Sequence, residues 1–366
     1  MNRTIGLIDT NYSVPGFDEL AEHRPAANVP FGARYRLIDF ALSNMANSRI
    51  TTVGVVTPYY YRSLLDHIGA GKEWGLDRKE GGLFILPGSI YGLRDERSRF
   101  LMRDLEHNAR YLEADHADYV LASDCSMVYN ADYTALMAHH ELCGLPVTLL
   151  FKEVDPETAR PGTYLTLDAQ GRVTDIFAAE RGQYLFLNCF IADSTFLRRF
   201  LHDFHALNHK GFLDVLREQL NEVRVDSFPF EGYVGSVNGI GEYVRTSFEL
   251  LGYEVSQDVL SPSRPIITKT HDAPPTIFAE GATVRGSLIS AGCVIEGTVE
   301  NSILFRGVRV ERGAVVRDSI VMENGVIHAG AELAYCVCDK NVELSAATLL
   351  HGTPSSPCVL PKGKTL

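Results

Sequence analysis

The sequence predicts an α/β domain followed by a parallel β-helix, and three observations carry that expectation. Over the first two thirds, short β-rich apolar runs alternate with helical patterns, the rhythm of a layered α/β domain. Between residues 261 and 275 the composition shifts to Pro, Ser and Thr and the apolar periodicity fades, as in a linker. Beyond Thr276, β-branched triplets recur between glycines and small polar residues, and no helical period survives.

In chain order, residues 4–9, 52–57, 119–122 and 147–151 read as strands, with 40–47 and 103–113 as helices between them. Residues 172–177 and 184–192 add strands, and 193–204 reads as a helix opened by an Asp or Ser cap. The expected boundaries are 1–254 for the α/β domain, 255–275 for the linker and 276–366 for the β-helix. Within the last segment, Ser287-Leu288-Ile289, Ser302-Ile303-Leu304 and Ser319-Ile320-Val321 recur at steps of 15 and 17 residues. Gly292-Cys293-Val294-Ile295, Gly307-Val308-Arg309-Val310 and Gly325-Val326-Ile327 keep nearly the same step. Three six-residue sides make a turn of about 18 residues, so these are hexapeptide coils with glycines relieving the corners. An antiparallel sandwich would show cleaner alternation and less regular glycine spacing. Open coil ends and flat faces call for cover by other subunits, so an oligomer is expected.

Composition narrows the function. The 366 residues are 45% hydrophobic and 22% charged, ordinary for a globular chain with ample core. Setting 46 Asp and Glu against 34 Lys and Arg leaves a net charge of −12 without long like-charge runs, which argues against a nucleic-acid partner. No window approaches the roughly 18 apolar residues of a membrane helix, and residues 1–9 lack a basic flank leading into an apolar core. A cytoplasmic protein with no membrane partner is the expectation. The seven cysteines, with no C-x-x-C pair, read as reduced thiols. His67, His139, His140 and His328 show no metal-ligand grouping and read as core or solvent-facing histidines.

A dense string of residues carries a resemblance. Pro30-Phe31-Gly32, Tyr35-Arg36-Leu37-Ile38-Asp39-Phe40, Leu42-Ser43-Asn44 and Asn47-Ser48 resemble ADP-glucose pyrophosphorylase, the glucose-1-phosphate adenylyltransferase family. The likeness continues through residues 64–69 (Leu-Leu-Asp-His-Ile-Gly), Trp74, Leu76-Asp77-Arg78, Gly81-Gly82 and Ile85-Leu86-Pro87. It resumes at Glu231-Gly232-Tyr233 and at Gly297-Thr298-Val299-Glu300-Asn301-Ser302, covering nearly the whole chain in the right order. The resemblance implies a Rossmann-like nucleotidyltransferase domain, a left-handed β-helix, a tetramer, and a role in glycogen synthesis. There glucose 1-phosphate and ATP give ADP-glucose and pyrophosphate.

That reaction needs two polyanions held in line, with charge neutralised by backbone amides, a basic side chain and Mg²⁺ on carboxylates. Against the family's pattern, four elements depart. The Gly-Gly-x-Gly-x-Arg-Leu turn after the first strand is replaced by Thr10-Asn11-Tyr12-Ser13-Val14-Pro15-Gly16. Asn11 and Tyr12 there would crowd the backbone approach that glycine permits, and Asp9 adds negative charge; remodelling for another anion is the alternative. The small base-pocket segment corresponds to residues 100–104 (Phe-Leu-Met-Arg-Asp), where Phe100, Leu101 and Met102 read best as helix core. Of the family's two metal aspartates, Asp124 survives, as a metal ligand or as a loop-capping carboxylate, but Ser236 stands in the other position. The Glu-Lys pair of the sugar site becomes Glu180-Arg181, whose arginine retains the means to meet a phosphate.

Four departures inside a matching scaffold resemble the GlgD-type regulatory subunit of the family. The resemblance therefore implies no catalytic residue, a vestigial substrate site at Asp124, Glu180 and Arg181, and no metal or cofactor of the chain's own. Mg²⁺ would belong to a catalytic ADP-glucose pyrophosphorylase partner, joined in a hetero- or homo-tetramer. Arg24, Arg34 and Arg36 form a basic cluster, read either as an anion site for a sugar-phosphate effector or as surface arginines in weak ion pairs. The rival reading is an active sugar-1-phosphate nucleotidyltransferase with a remodelled loop. A hexapeptide acyltransferase is a third class, with His328 as its candidate base.

Overall fold

The computed structural model describes residues 3–58, 61–90 and 99–366. They gather into two compact units, each built from more than one stretch of chain: 1–13, 40–234 and 262–267 in one, 14–39, 235–261 and 268–366 in the other. Among the described residues no helix is long and apolar enough to cross a membrane.

The first unit is built on a mixed sheet of nine strands among the described residues. Four strands pair parallel in the order Gly82–Pro87, Thr52–Thr57, Thr4–Asp9 and Tyr119–Asp124. Tyr184–Asp193 joins the last of these antiparallel, and Val147–Glu153, Val225–Pro229, Val173–Ala179 and Gly162–Leu167 complete the order. The central strands are apolar on both faces, as sheets covered by helices require: Ile5, Leu7, Val120, Ala122, Phe186 and Phe190 join one buried cluster, and Ile8 and Leu121, pointing the other way, are fully buried too. The strand Tyr184–Asp193 carries a bulge, its register against Val147–Glu153 slipping between Phe186 and Phe190, and Asn188 sits in it at φ +50°. Asparagine tolerates that left-handed conformation better than most side chains, and bulges re-aim the residue they carry.

Three local expectations need correction. The helix expected over 103–113 is shorter, Met102–His107, because the Asn108 amide folds back to donate to the Asp104 carbonyl at 2.8 Å and to the Pro87 carbonyl at 3.0 Å. A side chain that bonds its own backbone in this way competes with helix continuation. The helix Ser194–Asp203 begins where expected, yet Asp193 makes no side-chain cap bond, and the Ser194 hydroxyl donates instead to the Leu112 carbonyl at 2.7 Å. The expected linker, 255–275, also opens inside a helix, Tyr253–Val259.

In the second unit, three five-stranded parallel sheets wind as the faces of a β-helix. The strands Ile277–Phe278, Val294–Ile295, Arg309–Val310, Val326–Ile327 and Glu343–Leu344 form one face, and Thr283–Arg285 and Leu288–Ile289 begin the other two. Inward residues such as Val299, Val316 and Leu333 stack in register and are fully buried. The corners are shared between glycine and short polar side chains: Gly292, Gly307, Asn324 and Asn341 all take φ between +58° and +76° at successive coils. The triplet serines have a physical reason. The Ser302 N–H donates to Ser287 Oγ at 3.0 Å, Ser319 N–H to Ser302 Oγ at 3.2 Å, and Cys336 N–H to Ser319 Oγ at 3.1 Å, one coil to the next.

Candidate functional site

In open α/β sheets, ligands collect at the carboxyl ends of parallel strands. Here the strands Thr4–Asp9 and Tyr119–Asp124 end in register, so Asp9 lies directly opposite Asp124. Both are buried. Asp9 accepts the backbone N–H of Asn11 at 2.9 Å and of Phe100 at 2.6 Å, tying two loops to the strand end. Burial, with Asp104 and Asp124 nearby, pushes its carboxyl up to about 6.

Asp124 is more heavily committed. Its Oδ1 accepts the Ser126 N–H at 3.1 Å. Its Oδ2 accepts the Ser126 hydroxyl at 2.6 Å, the Asn188 amide at 3.0 Å and the Arg99 Nε at 3.2 Å. The Arg99 and Asp124 side chains are 9% and 1% exposed, and the guanidinium lies 4.1 Å from the centre of the Tyr12 ring. A buried cation with an aromatic floor thus supplies the countercharge at this strand end. Burial raises the Asp124 carboxyl, and Arg99 with the Ser126 donors pulls it back.

The loop after the first strand is packed from within. Tyr12 is buried, and Asn11 donates to Asp104 at 2.6 Å and to the Ser89 carbonyl at 2.8 Å. Asp104 also accepts the Ser89 N–H at 2.7 Å, and burial raises its carboxyl. Even Gly88 is needed: a β-carbon there would come within 2.5 Å of the Asn11 amide. Phe100, Leu101 and Met102 are core residues, but only Met102 lies in the helix Met102–His107; Phe100 precedes it at φ +52° and meets Phe190 edge-on at 5.1 Å. Sequence reading missed Arg99, the anchoring role of Asp104 and the bond from Asn188, a residue it places at the sugar-site strand within Leu187-Asn188-Cys189, for no motif spacing links them to Asp124. Asn188 left one signal, an asparagine interrupting an otherwise apolar strand.

Do these donors fit the magnesium that such a fold implies? They do not. Three donors crowd Asp124 Oδ2 and one meets Oδ1, and the buried Arg99 guanidinium already supplies the countercharge that a magnesium ion would bring. In the other unit, the Ser236 hydroxyl donates to Glu242, which also accepts the Asn238 N–H at 2.9 Å. Glu242 is another residue that sequence reading passed over.

The remaining predicted residues fall as follows. Glu180 and Arg181 are exposed in the turn between Val173–Ala179 and Tyr184–Asp193. Arg24 is buried, its Nε on the Leu20 carbonyl at 2.6 Å and its terminal nitrogen on Asp339, which is 1% exposed. Arg36 is half-buried, held by burial below the usual arginine range, with Glu323, Asp39, Arg24 and Arg306 acting on it. Lys340 pairs with Glu323 at 2.9 Å and is lowered by burial in the same way. Arg34 is exposed and lies 5.9 Å from the centre of the Tyr35 ring. His67 is buried against Trp74, His140 bonds Thr148 at 2.8 Å, and His328 lies between Glu311 and Glu343. His139 departs from the expectation of no metal grouping, since it converges with Cys143 and Asp226.

Residues 18–178 match the nucleotidyl transferase family model, and residues 274–351 match the GlmU-like C-terminal hexapeptide model. The chain is 32% identical over 363 residues to the glycogen biosynthesis protein GlgD of Bacillus subtilis, spanning 99% of this chain and 96% of that one. It is 33% identical over 315 residues to GlgD of Geobacillus stearothermophilus, spanning 86% and 83%. Over 327 residues it is 32% identical to a glucose-1-phosphate adenylyltransferase of Thermotoga maritima, spanning 87% and 77%. With a Rossmann-like nucleotidyltransferase domain, a left-handed β-helix and a likeness that runs through nearly all of its length, the chain belongs to the glucose-1-phosphate adenylyltransferase family.

Proposed function

We propose that this chain acts in glycogen biosynthesis as a regulatory, non-catalytic subunit that modulates a catalytic glucose-1-phosphate adenylyltransferase. One observation carries the reading: both oxygens of Asp124 are taken by Arg99, Ser126 and Asn188, and Tyr12 fills the space beneath the guanidinium. A triphosphate and its cation would have to displace this buried ion pair to sit at the strand end, and the charge left behind would be costly. The likeness to two proteins named GlgD supports the same reading.

On this view the chain joins its catalytic partner in a cytoplasmic tetramer, and Mg²⁺ belongs to the partner's site. It alters the partner's rate or affinity only through contacts that differ between the partner's conformational states. Where a sugar-phosphate effector binds this chain, Arg34 and Arg36 are the arginines to receive it, since Arg24 is already neutralised by Asp339.

The test is pyrophosphate release by the purified chain given ATP, Mg²⁺ and glucose 1-phosphate, alone and mixed with the catalytic subunit from the same source. Alone it should be nearly silent. In the mixture kcat or KM should shift by about fivefold or more, the lower range of coupling between sites. Turnover by the chain alone at about 1 to 1000 per second, ordinary for an enzyme, would overturn the reading in favour of an active transferase with a remodelled loop.

A further inference from the structure

The helix Thr134–Cys143 packs on the strand Val225–Pro229 at the sheet, away from Asp124 in the fold's order of strands. Positions four apart on a helix share a face, so His139 and Cys143 point together, and Asp226 from the strand completes a triangle. One ligand atom from each lies within 4.8 Å of the other two. His139 Nε2 and Asp226 Oδ2 are hydrogen-bonded at 2.7 Å, and the His139 ring is held against Phe228, their centres 5.1 Å apart. The Cys143 thiol lies 3.3 Å from the His140 carbonyl and 3.8 Å from Thr148 Oγ1, a hydroxyl that also binds His140 Nδ1.

We infer that His139, Cys143 and Asp226 form a binding site for a borderline-soft divalent cation of the zinc type, with a fourth position open to water. The donor set decides the class. One imidazole, one thiolate and one carboxylate suit zinc and its neighbours, whereas magnesium and calcium seek oxygen donors. Zinc holds nitrogen and oxygen ligands at about 2.0–2.2 Å and sulfur at about 2.3 Å, so the ligand atoms of a tetrahedral site stand somewhat over 3 Å apart. The His139–Asp226 hydrogen bond must open slightly and the thiol must swing in, adjustments of side-chain torsions and not of backbone. Access is available, for the His139 side chain is 38% exposed and Cys143 is half-buried. A cation that binds there displaces the thiol proton to water, since the thiolate is the ligand. The site does not depend on whether the chain is catalytic. It clamps a helix to the sheet at Val225–Pro229, the strand between Val147–Glu153 and Val173–Ala179.

The experiment is equilibrium dialysis of the full chain against Zn²⁺ and, separately, Mg²⁺, with Co²⁺ used to report sulfur ligation. Expected are one Zn²⁺ per chain, a thiolate-to-cobalt charge-transfer band, and a thermal midpoint raised by a few degrees in excess Zn²⁺. His139→Gln and Cys143→Ser should each lower affinity by about a hundredfold or more and abolish the band. His328→Gln and Cys336→Ser, at the β-helix, should leave both intact. Zinc binding that survives His139→Gln or Cys143→Ser, binding without the sulfur band, or no stoichiometric uptake would overturn the assignment.

Discussion

The β-helix and the carboxyl ends of the strands in the α/β unit solve one problem in opposite ways. Both bury polar groups that must find partners. In the β-helix the triplet serines each accept an N–H from the next coil, 15 residues from Ser302 to Ser287 and 17 from Ser319 to Ser302. At the strand ends it lies at unrelated distances along the chain, 25 residues from Asp124 to Arg99, 64 to Asn188, and 91 from Asp9 to Phe100. The difference teaches where specificity is stored. A repeated hydrogen bond survives the loss of any one member, whereas a knot of unlike groups depends on each.

Breaking the knot should therefore give the largest effect. Arg99→Met removes the guanidinium and leaves Asp124 buried without its countercharge, which is expected to cost about 3–5 kcal/mol in urea denaturation. Adding Asp124→Leu to that variant should recover most of the loss, because the stranded charge goes with it. A single variant that loses under about 1 kcal/mol would mean that the pair does not hold the strand end closed.

A smaller effect separates Asp9 from its neighbour. Its carboxyl stands at about 6 in the folded chain, above the usual value near 4 in an unfolded one. Between those values the folded state keeps a proton that the unfolded state has released. The contribution of Asp9 to stability is thus full below about pH 4 and is lost as the pH rises through 6, a change on the order of 2–3 kcal/mol. Asp9→Asn carries no such titration, so its stability relative to the parent chain should improve between pH 4.5 and 7. Urea midpoints that keep a constant gap over that range would contradict the shift.

The same contrast governs what the sequence makes legible. The coils of 15 and 17 residues are visible because periodicity repeats the signal, and even Ser287, Ser302 and Ser319 stand out before their bonds are known. The strand Thr4–Asp9 is legible because one buried apolar run needs no partner to be recognised. The loss of small residues at Asn11, Tyr12 and Phe100 is legible as well, being a change against a familial pattern. What fills the gap is not. Arg99 lies outside any apolar period and its partner's position follows from strand register, while Asn188 acts through a bulge that no local spacing announces. The helix expected over residues 103–113 failed for a related reason: Asn108 closes Met102–His107 by bonding two carbonyls, one of them Pro87 from a distant strand.

The smallest effect belongs to the β-helix, and it tests whether repetition makes each member equal. Ser319 is fully buried, donates to the Arg317 carbonyl at 2.6 Å and accepts the Cys336 N–H at 3.1 Å. Ser287 makes the corresponding pair of bonds to the Arg285 carbonyl at 2.8 Å and from the Ser302 N–H at 3.0 Å, but in the first coil, where it is half-exposed. Removing a hydroxyl strands the two backbone groups it served, and the cost depends on whether water can replace it. Ser319→Ala is therefore expected to lose about 1 kcal/mol or somewhat more, and Ser287→Ala only a few tenths. Beyond Ser319 the run of hydroxyls ends, for the Cys358 N–H turns to the Tyr335 carbonyl at 3.0 Å and not to the Cys336 sulfur. Equal losses at Ser287 and Ser319 would show that the repeat, and not the burial of each coil, sets the strength of the ladder.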